Sequence, residues 1–247
     1  MGCANADRPA EPGGMVSSSL CADGYVLALA PDRVRALSWQ AGSPLSDAQG
    51  EALALPRLWD DPEALFRTPG LHVAGPGAAP PGGVALQWAE DFEALAANID
   101  RVADASGTSA QGWHARIRAL DALPQPATRP RILYLTRAGG SAGAGTYVDA
   151  AIRKAGGVNA AAAPGWHTPD VETVLATDAD IVLTSFFGSD YHGARDAALR
   201  HAALRRFIAA RPRIDVPGRL WPCAGPGLVE ATRRINAGVR VWEAGQR

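Results

Sequence analysis

The sequence has almost no lysine, few cysteines and no long apolar run. Lys154 is the only lysine among 247 residues, so arginine supplies nearly all the positive charge. Acidic residues balance the basic ones to a net charge of −1. That balance argues against nucleic acid as a partner, because phosphate binding needs a basic face. No stretch reaches the roughly 18 consecutive apolar residues of a membrane-spanning helix, and three cysteines are too few for a disulfide scaffold.

Signatures of metal and nucleotide chemistry are also scarce. The five histidines show no zinc-ligand spacing, and we expect no metal site made of protein ligands alone. Residues 139–145 are glycine-rich and lie between a predicted strand and a predicted helix, a context that suits phosphate binding. Their glycines do not fit G-x-G-x-x-G, and the lysine of a P-loop is missing. We therefore predict a protein that is not an enzyme and has no intrinsic cofactor; the alternative is a nucleotide-binding α/β enzyme that uses this loop.

A similar sequence motif occurs twice in the chain. Trp59 and Trp166 each stand three residues before a proline, and a glutamate-bearing apolar turn and a β-branched run follow. Glu63 and Glu172 are the two glutamates. Proline fits the first position of a helix, and in the second copy Thr168 can cap the helix that follows. Each copy predicts a loop, a short helix and a buried strand, and the repetition predicts two similar lobes.

Strands alternate with helices on both sides of a central helical stretch. Strands are predicted at 15–18, 34–39, 71–74, 84–88, 131–136, 181–184 and 213–216, and helices at 24–30, 147–155, 198–210 and 228–237, with a loop at 41–56. This alternation is typical of parallel α/β lobes. Phe92, Leu95, Ile99 and Val102 follow the spacing of one buried helix face. We expect a disordered tail at 1–14, an N-terminal α/β lobe at 15–88, a connecting helical segment at 89–123 and a C-terminal α/β lobe at 129–247.

Aromatic and polar residues are frequent where the predicted strands end, which is where parallel α/β lobes bind ligands. Arg137 directly follows a predicted strand and could pair with a carboxylate or propionate. Tyr191 and His192 could ligate iron, or could be a plain loop feature. Aromatic walls with a few polar anchors suit a large, flat or amphipathic ligand. The candidate ligand-binding residues are Ser18, Ser19, Trp39, Trp59, Arg137, Trp166, His167, Phe186, Tyr191 and Trp221.

Several sequence segments, in their order and spacing, resemble those of the class III (helical-backbone) periplasmic substrate-binding proteins of ABC importers. The segments are VSSSLCAD at 16–23, the stretch around Glu63, GGVN at 156–159, ETVLATDADIVL at 172–183 and VPGRLWPCAGP at 216–226. Residues 41–55 match this pattern poorly. The resemblance implies two parallel-sheet α/β lobes joined by a long helix, with the ligand between them. It also implies that Glu63 and Glu172 dock onto arginines of the permease; a glutamate that only favours its helix dipole is the alternative.

The resemblance implies a function in uptake. The chain would capture a metal complex, either a ferric siderophore, haem or cobalamin, and deliver it to an ABC permease in the inner membrane. We expect a periplasmic monomer, with Cys3 as a possible lipid anchor within a polar lead-in. Cys21 and Cys223 each lie beside a predicted strand end. They could form a disulfide in an oxidising compartment or be two small buried apolar residues.

Overall fold

The computed structural model describes residues 13–58, 67–185 and 200–246. The chain divides into two compact units: unit 1 comprises Met1–Gln87 and Asn98–Ala110, and unit 2 comprises Trp88–Ala97 and Gln111–Arg247. Among the described residues, no helix combines the length and the apolar character that crossing a membrane requires.

Unit 1 contains a five-stranded parallel sheet in the order β3-β2-β1-β4-β5. Its strands are β1 (Met15–Ser17), β2 (Val34–Ser38), β3 (Arg57–Leu58), β4 (Leu71–Ala74) and β5 (Val84–Ala85). Met15 pairs with both Val34 and Leu71, so β1 is the central strand. Val16, Ala36 and Leu58 form a buried apolar cluster on this sheet. No strand was predicted at β3, which is only two residues long.

Helix α1 (Leu20–Leu29) begins earlier than its predicted start at residue 24. Ser19 is its N-cap, and the Ser19 hydroxyl accepts a hydrogen bond of 3.2 Å from the Ala22 N–H. A serine at this position satisfies an N–H group that the helix itself cannot. The cap therefore places the start of the helix directly after β1.

The central helical stretch consists of helix α2 (Phe92–Ser106), helix α3 (Gln111–Arg118) and a 3₁₀ turn (Ala119–Ala122). Leu95, Ile99 and Val102 are fully buried, which confirms the predicted apolar face. The stretch breaks at Gly107, whose φ of 64° is a left-handed conformation that glycine adopts readily. The limits of the predicted connecting segment stay a prediction.

Unit 2 contains a four-stranded parallel sheet in the order β11-β10-β6-β8 and a separate antiparallel pair, β7-β9. The strands are β6 (Arg131–Thr136), β7 (Ser141–Ala142), β8 (Val158–Asn159), β9 (Trp166–His167), β10 (Ile181–Ser185) and β11 (Arg213–Val216). The helices are α4 (Tyr147–Lys154), α5 (Val171–Ala176), α6 (Ala202–Ala209) and α7 (Gly227–Ala244). Leu133, Val182 and Phe207 belong to its buried core. The parallel sheets and helices of both units confirm the predicted α/β class.

Two details of unit 2 differ from expectation. Asp170, and not Thr168, caps α5: an Asp170 carboxylate oxygen accepts a 2.6 Å hydrogen bond from the Thr173 N–H. Hydrogen bonds from Thr173 also hold the pKa of Asp170 below its usual range. The predicted Thr168 cap is therefore wrong, because aspartate one residue past Pro169 occupies the position. The last helix, α7, extends to Ala244, beyond its predicted end at residue 237.

Candidate functional site

Four aromatic side chains of unit 2, Tyr134, Tyr147, Trp166 and Trp221, form what we call the aromatic cluster. The ring centroids of Tyr147 and Trp166 are 4.9 Å apart, and those of Tyr147 and Trp221 are 6.4 Å apart. Tyr134 meets Trp221 edge-on at 5.6 Å. Trp166 is 48% exposed, whereas Trp221 is 4% exposed. The cluster therefore runs from a half-exposed indole at the surface to buried rings against the sheet.

Each ring of the aromatic cluster is placed by a different element. Tyr134 lies on β6, Tyr147 is the first residue of α4, and Trp166 begins β9. Trp221 follows the 3₁₀ turn Gly218–Leu220. Because strand, helix and turn all contribute, the cluster depends on the packing of the whole unit.

Both tyrosines of the aromatic cluster are held as neutral phenols. Burial raises the pKa of the Tyr134 phenol well above its usual range. Burial also raises the pKa of the Tyr147 phenol, and so, to a smaller extent, do Tyr134 and the Glu90 carboxylate nearby. A neutral phenol stacks and donates hydrogen bonds, but it is a weaker metal ligand than a phenolate.

Trp221 has two unusual features. Its indole N–H is buried and has no hydrogen-bond partner among the described residues. The chain then turns through Cys223 and Ala224, whose φ angles of 55° and 49° are left-handed. Such angles are uncommon outside glycine and require support from the surrounding structure. Trp221 is thus a buried and closely packed member of the aromatic cluster, unlike the half-exposed Trp166.

The glycine-rich residues 139–145 form the turn that leads into β7. The Gly139 N–H donates to the Thr136 carbonyl at 2.9 Å, and the Gly140 N–H donates to the Thr136 hydroxyl at 2.9 Å. The Gly143 N–H donates to the carbonyl of Gly165 at 2.9 Å. These N–H groups point into the protein, so they cannot cradle a phosphate.

The N-terminus of α4 is also occupied by protein groups. The Thr146 hydroxyl accepts a 3.2 Å hydrogen bond from the Asp149 N–H. A carboxylate oxygen of Glu90 accepts a 3.2 Å hydrogen bond from the Tyr147 N–H. A negative side chain therefore lies at the helix end where a phosphate would be expected to bind.

His167 follows Trp166 on β9 and is half-buried. Its Nδ1 is 3.1 Å from the Gly165 carbonyl oxygen. Since a carbonyl only accepts, Nδ1 carries the hydrogen, and Nε2 of the neutral ring has the free lone pair. That nitrogen can accept a hydrogen bond or coordinate a metal ion. Arg137, directly after β6, is half-buried.

The unit 1 candidates lie at the carboxyl ends of β1 and β2. The Ser18 hydroxyl donates to the Val73 carbonyl at 3.3 Å, and the Ser19 hydroxyl caps α1. Trp39 begins the 3₁₀ turn Trp39–Gly42 and is 48% exposed. The two serines thus shape the backbone at the end of β1, and Trp39 offers an aromatic surface at the end of β2.

Several predicted residues lie outside the described residues: Cys3, Trp59, Glu63, Phe186, Tyr191 and His192. Glu172 is exposed in the first turn of α5. Cys21 and Cys223 are both in the disulfide form. Among the described residues, no three His, Cys, Asp or Glu side chains are grouped to hold a metal ion.

Sequence reasoning missed both tyrosines of the aromatic cluster. Tyr147 stands between a glycine-rich turn and a helix, a position that could have drawn attention to it. Tyr134 lies inside an apolar strand, and its neighbours in the sequence do not mark it as a site residue. An aromatic residue in such a strand is expected to belong to the hydrophobic core.

No protein-family model matches the chain. No curated protein matches it either. Solved structures do: the periplasmic haem-binding protein HutB of Vibrio cholerae has a TM-score of 0.71 at 21% identity, over 92% of this chain and 98% of HutB. The periplasmic haem-binding protein RhuT from Roseiflexus sp. RS-1 has a TM-score of 0.70 at 23% identity, over 92% of this chain and 99% of RhuT. This chain has the class III periplasmic binding protein fold.

A third neighbour with the class III fold was solved with its ligand. The periplasmic haem-binding protein BhuT, in complex with two haems, has a TM-score of 0.63 at 25% identity, over 91% of this chain and 98% of BhuT. These comparisons confirm the fold that the sequence resemblance implied. The structural neighbours are binding proteins and not enzymes, so the nucleotide-enzyme alternative has no support from them.

Proposed function

We propose that this chain is the solute-binding protein of an ABC importer and that its cargo is a metal complex with a large organic framework. The observation that carries the proposal is the aromatic cluster, which presents the half-exposed Trp166 in front of buried rings. Flat or amphipathic ligands suit such a wall. Among haem, cobalamin and ferric siderophores, the haem-binding neighbours HutB, RhuT and BhuT favour haem. The chain binds and releases its cargo and catalyses no reaction.

In this proposal the described residues make different contacts with the ligand. Trp166 stacks on the face of the ligand, and Nε2 of His167 accepts a hydrogen bond from it or coordinates its metal. Arg137 pairs with a carboxylate at the ligand edge. Ser18, Ser19 and Trp39 of unit 1 also contact the ligand. Trp59, Phe186 and Tyr191 stay predictions from the sequence.

A ligand titration tests the proposal. Purified protein is titrated with haem, cobalamin and several ferric siderophores, with ATP and NAD as controls. We expect saturable quenching of tryptophan fluorescence by one of the metal complexes, after correction for ligand absorbance. A response only to ATP or NAD would refute the proposal and return the nucleotide-binding alternative.

The partner we propose is an ABC permease, reached through Glu63 and Glu172. The exposed position of Glu172 in the first turn of α5 supports this role. The double substitution Glu63→Ala/Glu172→Ala should abolish uptake and leave ligand affinity intact. Glu93→Ala is the matched control, because Glu93 is an exposed first-turn glutamate of another helix. Normal uptake by the double variant would remove the docking role.

We propose a periplasmic location, a monomeric protein and a Cys21–Cys223 disulfide, with Cys3 as a lipid anchor. The disulfide form of both cysteines supports an oxidising compartment. Mass spectrometry of peptides from the non-reduced protein tests the pairing, and light scattering tests the monomer. Labelling with a radioactive fatty acid in cells tests the anchor at Cys3.

A further inference from the structure

Glu90 places a negative charge beside Tyr147 of the aromatic cluster. Glu90 is exposed, and one of its carboxylate oxygens accepts the 3.2 Å hydrogen bond from the Tyr147 N–H. The ring centroid of Tyr147 lies 4.9 Å from that of Trp166, which is 48% exposed. Burial is the main cause of the raised pKa of the Tyr147 phenol, and the Glu90 carboxylate adds to it, so the charge also acts on the ring side of this residue. A single residue, Tyr147, thus connects Glu90 with the half-exposed indole.

The charge of Glu90 is not neutralised by a basic side chain. Among the described residues, no cation forms an ion pair with Glu90. Asp149, in the first turn of α4, differs in this respect: it is buried, and its Oδ2 lies 3.1 Å from Nε of Arg153. Glutamate side chains are ionised at neutral pH. Glu90 therefore brings a full negative charge that acts on any molecule bound beside it.

Glu90 lies where an α/β unit commonly binds an anion. A helix that follows a parallel strand begins on the side of the sheet where the strands end, and ligands bind there. The free N–H groups of such a helix start attract anions with the equivalent of about half a positive charge. At the start of α4 the Tyr147 N–H is bonded to Glu90, and the Asp149 N–H is bonded to the Thr146 hydroxyl at 3.2 Å. The full charge of Glu90 exceeds the opposite partial charge of the helix, so this edge of the unit is negative.

We propose that Glu90 is a specificity-determining residue that selects the cargo by charge: it disfavours complexes with negative groups beside Trp166 and favours those with a neutral or cationic edge there. The inference rests on the proposed function, because it concerns the ligand that stacks on Trp166. A negative group about 4 Å from the carboxylate loses about fivefold in affinity in water, and more once the ligand has displaced water. The indole face of Trp166 acts in the same direction, because it attracts cations.

Titrations with matched probes of different charge test the selection of cargo. The probe pairs are haem with its dimethyl ester, whose propionates carry no charge, and an anionic ferric tricatecholate with a neutral ferric trihydroxamate. Glu90→Gln keeps an oxygen that accepts from the Tyr147 N–H and removes only the charge. In this variant the dissociation constant of the anionic probe, divided by that of the neutral probe, should fall roughly two- to tenfold.

Two features of the design isolate Glu90. Pairing of a ligand carboxylate with Arg137 is the same in both proteins, so it cancels in the comparison of ratios. Glu93→Gln removes the same charge from an exposed position of α2 and should change the ratio much less. An equal ratio in Glu90→Gln and in the unsubstituted protein would overturn the proposal.

Quenching of tryptophan fluorescence by iodide tests the same charge without any cargo. Iodide is an anionic quencher and acrylamide a neutral one, so the ratio of their quenching constants measures the local charge around an exposed indole. Trp88 is 76% exposed and lies two residues before Glu90, so every protein compared carries Trp88→Phe. In this background Glu90→Gln should raise the ratio of iodide to acrylamide quenching by up to about twofold at about 0.1 M salt.

The rise in iodide quenching should disappear when Trp166→Phe is added, because Trp166 is the indole that Glu90 protects. No rise, or a rise that remains without Trp166, would overturn the proposal. If the unsubstituted protein binds none of the metal complexes, the proposed function fails instead, and the iodide result still decides whether Glu90 keeps anions away from Trp166.

Discussion

Trp166 and Trp221 have different surroundings in the aromatic cluster, although the sequence predicts the same role for both. We expect Trp166→Ala to weaken ligand binding with a modest loss of stability, and Trp221→Ala to destabilise the protein strongly. Trp166 is 48% exposed and, among the described residues, has one ring contact, at 4.9 Å. Trp221 is 4% exposed and has two ring contacts within the same part of the chain, at 5.6 and 6.4 Å.

The expected sizes follow from the buried surface. A buried tryptophan removes roughly 150–250 Å² from water, so the half-exposed Trp166 removes about 100 Å². At about 25 cal/mol per Å² this amounts to at most ~2.5 kcal/mol of unfolding free energy. For Trp221→Ala we expect a loss of ~3–5 kcal/mol, the usual range for a buried tryptophan. Such a loss is a large share of the ~5–15 kcal/mol of a typical domain.

The expected loss of affinity in Trp166→Ala follows from its stacking contact. An aromatic pair contributes ~0.5–1.5 kcal/mol beyond its buried area, so the dissociation constant should rise by up to about tenfold. Urea unfolding followed by circular dichroism measures stability without relying on the removed fluorophore. Haem absorbance titration measures affinity. Unchanged affinity in a folded Trp166→Ala protein would refute the view that the exposed end of the cluster faces the ligand.

Three further predictions concern stability. Gly143→Ala should destabilise the protein, because the added Cβ would overlap the backbone carbonyl of residue 163; urea unfolding that matches the unsubstituted protein would contradict this close approach. The raised pKa of Asp23 means that the folded state binds more protons than the unfolded state above the reference value of 3.8, so its contribution to stability should fall as pH rises. If the unsubstituted protein instead gained stability relative to Asp23→Asn as pH rises, the sign of this argument would be wrong. Reduction should lower the melting temperature if Cys21 and Cys223 are bonded to each other, and Cys21→Ser/Cys223→Ser should make the melting temperature insensitive to reductant.

Local patterns were enough to predict the main elements of the parallel sheets. Strands β6, β10 and β11 were predicted within one residue of their observed ends, because continuous β-branched and apolar runs are typical of buried parallel strands. The buried face of α2 follows from its 3-4 spacing. In these elements the residues that decide the structure are neighbours in the sequence.

The missed elements depend on contacts between distant residues. Strands β7 and β9 are two residues each, and they pair Ser141 with His167 and Ala142 with Trp166. No periodicity can develop over two residues, so only the pairing itself reveals them. The aromatic cluster has the same origin, because four separate segments bring its rings together. Composition correctly indicated aromatic residues beside the strand ends, but it could not distinguish the half-exposed Trp166 from the buried Trp221.

The glycine-rich turn shows why sequence context could not separate the two functional alternatives. A strand, a glycine-rich loop and a helix are present, as a phosphate site requires. Their N–H groups, however, already bind Thr136, Gly165 and Glu90. A phosphate would have to displace the Glu90 carboxylate from the start of α4 and break the turn that supports β7. A flat ligand needs neither change, because the same turn pairs β7 with β9 and so presents the exposed face of Trp166. The glycines allow two backbone segments to approach each other closely. This arrangement favours a ligand that stacks on Trp166 over a nucleotide that is held by its phosphates.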